Sequence, residues 1–467
     1  MPPTSRAHSP HLREAPAVAD LFVGIFRRDL LVFFPQSRFE LETTPTDEIA
    51  HSSGPDFQLI EHDAQPVGVR LFGQSYRLTP RPGCLFSQRD ARLICAIGAV
   101  LNLRYENLFH ISNNKRMELF RGGSEDHYIA AFVEPHAYLP NSDRASRVAS
   151  TIHTLRTAAL STYENRRVST GALLVGMDAS KEYDRPVPSD ALPYGVELTS
   201  LKTVHKLCDG KRTLFLVDQE GRLAEIIDIK RWASDICKCH DSNVPCARVF
   251  EAHARATCHS GHVCAVLSPN QEIKVFAEGV EAFSFAHGRW RVLDPASKFA
   301  AWQEAVGRPQ LARTLFQTAL DLAEARQGGL FVVVDRPLEA VGRLIAPHDL
   351  VTTESHPVAP QEITPGDPLA KRALHYLARN RNVTELDHSV LEALAGIDGA
   401  LVTDRNGRLL AFGAILRHDT SSFPGFVPAE GARTTAALIA SRFGPVLKVS
   451  EDGIISCYIK GARAWDL

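Results

Sequence analysis

The sequence predicts an α/β fold: two mixed-sheet domains in tandem, each with flanking helices, plus an N-terminal accessory α/β domain. Three observations point there. Short apolar runs recur in the same order in the middle and last thirds of the chain. In each third, one of these runs leads into a polar turn with glycine, the chemistry of a hairpin. Stretches with apolar residues every three or four positions stand between the runs and suit helices that cover a sheet. At 467 residues the chain is too long for one ordinary core. The expected divisions are a disordered arm over 1–19, an accessory or sensor domain over 20–150, a first repeat over 151–300 and a second over 301–467.

Residues 1–19 are rich in Pro, Ser and His and lack the apolar core of a signal peptide. Partial alternation over 67–78 predicts a strand. Leu93, Ile94, Ile97, Val100 and Leu101 give 87–103 a helical spacing. The run 128–133, closed by Glu134-Pro135, reads as a strand, and Pro140-Asn141-Ser142-Asp143 as a boundary turn before a helix over 145–163. Further helices are expected over 309–325, 368–379, 385–395 and 432–443, with a proline-rich loop over 354–367.

The internal repeat is the strongest organisational signal. Its first copy has Gly171-Ala172-Leu173-Leu174-Val175-Gly176, then Leu214-Phe215-Leu216-Val217 before the turn Asp218-Gln219-Glu220-Gly221. Its second has Gly329-Leu330-Phe331-Val332-Val333-Val334, then Ala400-Leu401-Val402-Thr403 before Asp404-Arg405-Asn406-Gly407. Glu251 to Thr257 answers Glu430 to Thr435, and the strand at Val263 answers the one at Val446.

Composition narrows the classes. Apolar content of 44%, charge of 23% and a net charge of -2 describe an ordinary globular protein and give no strong signal for DNA or RNA binding. No apolar run reaches the roughly 20 residues that span a bilayer, so no membrane partner is expected and a cytoplasmic location is the default. Nine cysteines at irregular spacing do not form a disulfide framework. No Gly-Lys-Ser/Thr phosphate loop, Gly-x-Gly-x-x-Gly run or Gly-x-Ser-x-Gly elbow is present.

Three runs in the second copy carry the chemistry: Asp398-Gly399-Ala400, Gly431-Ala432-Arg433-Thr434-Thr435-Ala436-Ala437 and Val449-Ser450-Glu451. In that order they resemble the diadenylate cyclase domain, whose members carry Asp-Gly-Ala, Gly-Thr-Arg-His-Arg-Ala-Ala and Val-Ser-Glu elements. The resemblance spans roughly residues 311–467, with a weaker echo over 160–290. It implies binding of ATP or a cyclic dinucleotide, and the joining of two ATP molecules into cyclic di-AMP across a face-to-face pair of domains. The pair would come from the two copies within one chain or from a homodimer. By this resemblance Asp398 is the acid that orients a hydroxyl and binds Mg²⁺ or Mn²⁺, and Arg433 a catalytic cation. Gly399, Ala400, Gly431, Thr434, Thr435, Ser450 and Glu451 would line the nucleotide.

The chain departs from the pattern where charge matters most. Ala432 replaces the family's Thr, and Thr434 and Thr435 stand where His and the second Arg would be. Phosphoryl transfer needs cationic donors on the phosphates, and losing one costs several kcal/mol of barrier. Arg417 or His418 could replace them. An inactive nucleotide-sensing module, or a tandem used only for protein contacts, therefore stays open beside the cyclase. Each element also has a plainer reading: Asp398-Gly399 as a turn into a strand, Gly431 as a helix cap, Ser450-Glu451 as a hairpin turn. In the first copy Asp209-Gly210 is followed by Lys211, and His253-Ala254-Arg255 keeps one cation, which suggests a structural or sensing role. Separately, Cys237, Cys239, His240 and Cys246 form an alternative zinc set of non-standard spacing.

Overall fold

The computed structural model describes residues 15–42, 55–60, 67–81, 85–109, 116–178, 187–188, 190–200, 203–236, 244–351, 374–417 and 431–467. The architecture is α/β, with mixed sheets flanked by helices and an N-terminal α/β region. Two compact units are present, one drawn from Met1–Lys238 and Ala256–Val292, the other from Cys239–Arg255 and Leu293–Leu467. Among the described residues no helix is long and apolar enough to cross a membrane.

The first unit opens with helix Ala15–Phe33, which begins inside the stretch expected to be an arm. A four-stranded sheet follows, built from β1 (Arg38–Leu41), β2 (Gln58–Leu59), β3 (Val67–Leu71) and β4 (Gln74–Thr79), in the order β1-β4-β3-β2. The single strand predicted over 67–78 is thus a hairpin. Gly73, at φ 75°, supplies the left-handed turn that a run of β-formers conceals. Helix Gln88–Phe109 buries the apolar face read from its spacing.

Residues 128–133 form a helix, Ser124–Val133, and not the predicted strand. The Asp126 carboxylate accepts the Gly123 N–H at 3.4 Å, and seven of the ten helical residues are buried. A short run that is apolar on every side has no period, so sequence alone cannot tell helix from strand there.

Helix Arg147–Ala159 is capped by Ser146, whose Oγ accepts from the Ala149 N–H at 3.2 Å. A small hairpin, β5 (Thr162–Tyr163) and β6 (Arg166–Arg167), precedes the main sheet of this unit. That sheet holds β7 (Thr170–Leu174), β8 (Thr213–Val217), β9 (Leu223–Asp228), β10 (Val263–Leu267), β11 (Ile273–Ala277), β12 (Val280–Ala286) and β13 (Arg289–Val292), ordered β13-β12-β11-β10-β7-β8-β9. One continuous core joins Phe26, Leu93, Ile97 and Ile129 of the N-terminal region to Ala172, Leu174 and Ala265 of the sheet.

The second unit has a six-stranded sheet of β14 (Gly329–Val334), β15 (Ala400–Asp404), β16 (Leu409–Ala414), β17 (Val446–Val449), β18 (Ile455–Ile459) and β19 (Ala462–Asp466), ordered β16-β15-β14-β17-β18-β19. Helix Pro309–Glu324 lays Leu311, Leu315, Phe316 and Leu322 in one core with Phe331 and Leu447. A second core holds Leu330, Val332, Val402, Ala437 and Ala440. Helix His388–Ala395 starts where the Asp387 carboxylate accepts the Ser389 N–H at 2.9 Å. The loop read over 354–367 lies outside the described residues, as does the start of the helix read over 368–379.

The repeat is visible strand by strand. β7 to β12 and β14 to β19 occur in the same spatial order, and in each sheet one pair, β7 with β8 and β14 with β15, is parallel while the other neighbours are antiparallel. The first sheet adds only the edge strand β13. The turns agree to the hydrogen bond. Asp218 Oδ1 accepts the N–H groups of Glu220 and Arg222 at 3.0 and 2.7 Å, and Asp404 Oδ1 those of Asn406 and Arg408 at 2.8 and 2.9 Å. Gly221 and Gly407 sit at φ 83° and 85°.

Candidate functional site

Strand direction brings the three quoted runs of the second unit together. β14 and β15 are parallel, so the turns that enter them, ending at Gly328 and Gly399, share one edge of the sheet. β17 is antiparallel to β14 with Gly329 opposite Val449, which carries the Ser450–Gly453 turn to the same edge. Helix Ala432–Ala440 runs back along β17 for roughly 13 Å, at 1.5 Å per residue, which returns its first turn to the level of Val449.

Arg433 stands between the two acids. Its Nη2 is 3.5 Å from Asp398 Oδ1 and its Nη1 3.3 Å from Glu451 Oε1. The side chains are 39%, 87% and 74% exposed for Arg433, Asp398 and Glu451, so the group faces solvent and the pairs are loose. Gly328 makes room for the guanidinium: a Cβ there would lie 1.9 Å from Arg433 Nη1. Two cations that the sequence reading missed join the same edge. Lys448 Nζ donates to Thr434 Oγ1 at 3.0 Å, and the Arg326 guanidinium lies against Gly453, whose Cβ would come within 2.7 Å of it. Lys448 sits in an apolar strand and Arg326 just before β14, and nothing in either local pattern marks them.

The other predicted residues are placed as follows. Gly431, at φ 89°, opens helix Ala432–Ala440, and among the described residues no atom lies within 4 Å of where its Cβ would stand. Gly399, at φ 119°, allows a close backbone crossing, since a Cβ there would be 2.4 Å from the Gly413 carbonyl carbon. Ala400 and Thr435 are buried, so their side chains do not face this edge. Ser450 Oγ donates to Ile454 O at 3.0 Å and to Asp452, which spends the hydroxyl on its own turn. Arg417 is tied to Gly342 O at 3.1 Å through Nη1 and to Leu344 O at 2.8 Å through its backbone N–H; His418 lies outside the described residues.

The first unit keeps the turns and one of the acids, and puts that acid to another use. Ser268 to Glu272 closes the same turn as Ser450 to Ile454, with the Ser N–H donating to the fifth residue's carbonyl at 2.8 and 3.0 Å, but Pro269 stands in the place of Glu451. Asp209, the counterpart of Asp398, accepts the N–H groups of Lys211, Arg212 and Thr213 at 2.8, 2.7 and 3.1 Å. Burial works to raise its carboxyl pKa, but these donors outweigh it and hold the group at about 2. This acid closes its own turn.

Among the described residues no three His, Cys, Asp or Glu side chains are grouped to hold a metal ion. Cys237, Cys239 and His240 of the zinc alternative lie outside those residues, and Cys246 is a half-buried cysteine in no disulfide, whose carbonyl accepts from Gln317. For Mg²⁺ or Mn²⁺ the requirement is smaller. Mg²⁺ takes one or two protein carboxylates and completes its shell with water and phosphate oxygens. The exposed Asp398 and Glu451 fit that donor set.

No protein-family model matches the chain. No curated protein matches it either. Among solved structures, a hypothetical membrane spanning protein from Bacillus cereus superposes with a TM-score of 0.24 at 20% identity, over 36% of this chain and 69% of that one. A double mutant of DacA from Staphylococcus aureus superposes with a TM-score of 0.23 at 17% identity, over 34% of this chain and 89% of that one. Both likenesses are distant and partial.

Proposed function

We propose that the second unit binds an adenine nucleotide or a cyclic dinucleotide at the edge formed by Asp398, Arg433 and Glu451, and that it is a divergent diadenylate-cyclase-like domain. The observation that carries this reading is the meeting of one guanidinium and two acids from three separated runs. A guanidinium fork held only by exposed, loose pairs can exchange a carboxylate for phosphate oxygens at little cost. Lys448 and Arg326 would add positive charge for a polyphosphate. A divalent ion, when bound, would neutralise developing charge on the phosphates, and Asp398 would hold it. The chain's own contribution is to seat the phosphates at Arg433 and to fix Thr434 through Lys448.

A catalytically inactive sensor is the second reading, and two observations favour it. Thr434 is occupied by Lys448, and Thr435 is buried, so neither position supplies the charge that the resemblance expects there. Titration calorimetry with ATP and with cyclic di-AMP separates the readings from a structural tandem. Binding should weaken at least tenfold in Arg433→Ala and in Asp398→Ala, and absence of binding by either ligand would reject the site. Incubation with ATP and Mg²⁺ or Mn²⁺, followed by chromatography, then decides between cyclase and sensor. Dinucleotide formation that Asp398→Ala abolishes supports the cyclase; tight binding without product supports the sensor.

A further inference from the structure

The first unit has a cleft of about 290 Å³ at the carboxyl ends of β7 and β8. That is the lower end of the range for small-molecule sites, about 300–1,000 Å³. In open α/β sheets ligands gather where parallel strands end. Its walls include Glu134, His136, Arg144, Arg147, Met177 and Gln219.

The base of the cleft is rigid and charged. The Glu134 side chain, 4% exposed, accepts from Ser146 Oγ at 2.8 Å, Arg147 Nε at 2.9 Å and the Val148 N–H at 3.3 Å. Arg147, 11% exposed, also donates from Nη1 to Val175 O at 2.7 Å and Asp218 O at 2.9 Å, which ties the ends of both strands together. Glu134 is therefore compensated from within. At the mouth, the guanidinium of the exposed Arg144 meets Met177 Sδ, a weak acceptor, at 3.4 Å, and among the described residues it forms no ion pair. Ala137, Ala145 and Met177 give part of the remaining wall an apolar surface, with His136 and Glu220 beside them.

The repeat provides an internal control. Arg405 occupies in its hairpin the position that Gln219 occupies here. Its guanidinium meets Asp335 Oδ1 at 2.9 Å and Val306 O at 2.7 Å, so an ion pair fills the corresponding place in the second unit. Gln219 instead turns its amide to Gly176 O at 2.9 Å, and the space stays open.

We infer that this cleft binds a small amphipathic anion, with its carboxylate or phosphate group at Arg144 and a short apolar body against Ala137, Ala145 and Met177. This site is independent of the nucleotide reading. Titration calorimetry on the full chain with hexanoate, phenyl phosphate and inorganic phosphate tests it. Saturable binding of hexanoate or phenyl phosphate is expected, and the tighter of the two identifies the acid group. Arg144→Ala, and Gln219→Arg, which copies the filled hairpin, should each weaken it at least tenfold, while Arg433→Ala leaves it unchanged. Should Gln219→Arg not melt cooperatively, the exposed Arg144→Ala carries the comparison alone. No saturable binding by either organic anion, affinity unaltered by Arg144→Ala, or equal affinity for inorganic phosphate would overturn the inference.

Discussion

At Arg433 stability and binding should separate. Exposed ion pairs contribute about 0–1 kcal/mol, so Arg433→Ala should leave chemical denaturation nearly unchanged while it weakens nucleotide binding. Gly399 behaves in the opposite way. With φ at 119° and the Gly413 backbone 2.4 Å from a would-be Cβ, Gly399→Ala should destabilise the second unit by roughly 1–3 kcal/mol, as denaturant midpoints would show. Asp209 is a pH probe for the first unit. Its folded pKa of about 2 lies below the ordinary carboxylate value, so its contribution is present above about pH 4 and is lost as pH falls through about 2. In Asp209→Asn, denaturation between pH 2 and 5 should show a shallower loss of stability than in the native chain.

At the scale of elements, much was legible. The glycine turns after Asp218 and Asp404 announce hairpins because only a left-handed residue closes them, and both are present with matching bonds. Asp404→Ala removes the acceptor for two backbone N–H groups and should cost about 1–2 kcal/mol, measured by thermal melting against Asp218→Ala in the other repeat. Helix Ser124–Val133 was not legible, since burial on all sides erases the amphipathic period. The meeting of Asp398, Arg433 and Glu451 was expected from the order of their runs. Lys448 and Arg326 were hidden because register and a neighbouring turn, not local pattern, bring them in.

For the molecule as a whole, the repeat read from apolar runs corresponds to two sheets of one topology. The N-terminal region, expected as a separate domain over 20–150, shares its core with the first of them, a matter of long-range packing that no local signal reports. The second unit draws in Arg248, whose Nη1 reaches Asp321 Oδ2 at 2.5 Å and Glu392 Oε1 at 2.6 Å. Burial lifts the Asp321 carboxyl to about 6 against these contacts. A raised carboxyl pKa favours the protonated folded form, so stability falls as pH rises from about 4 through 6. Arg248→Ala should push that window higher and cost roughly 1–3 kcal/mol more at pH 8 than at pH 5, which denaturant titrations at the two pH values would show.

The route of the chain through the two units has a consequence for synthesis. Arg248 is translated before any strand of the unit it serves, and β10 to β13 leave the ribosome after it, although they complete the earlier sheet. The earlier sheet is finished first, at Val292, while the neighbouring segment must wait for Asp321 and Glu392 before its guanidinium has partners. A ribosome paused between those points would hold a nascent chain with one closed sheet and an Arg248 whose acidic partners are still to come, a state in which a protease should nick the segment around Arg248 more readily than in the finished chain.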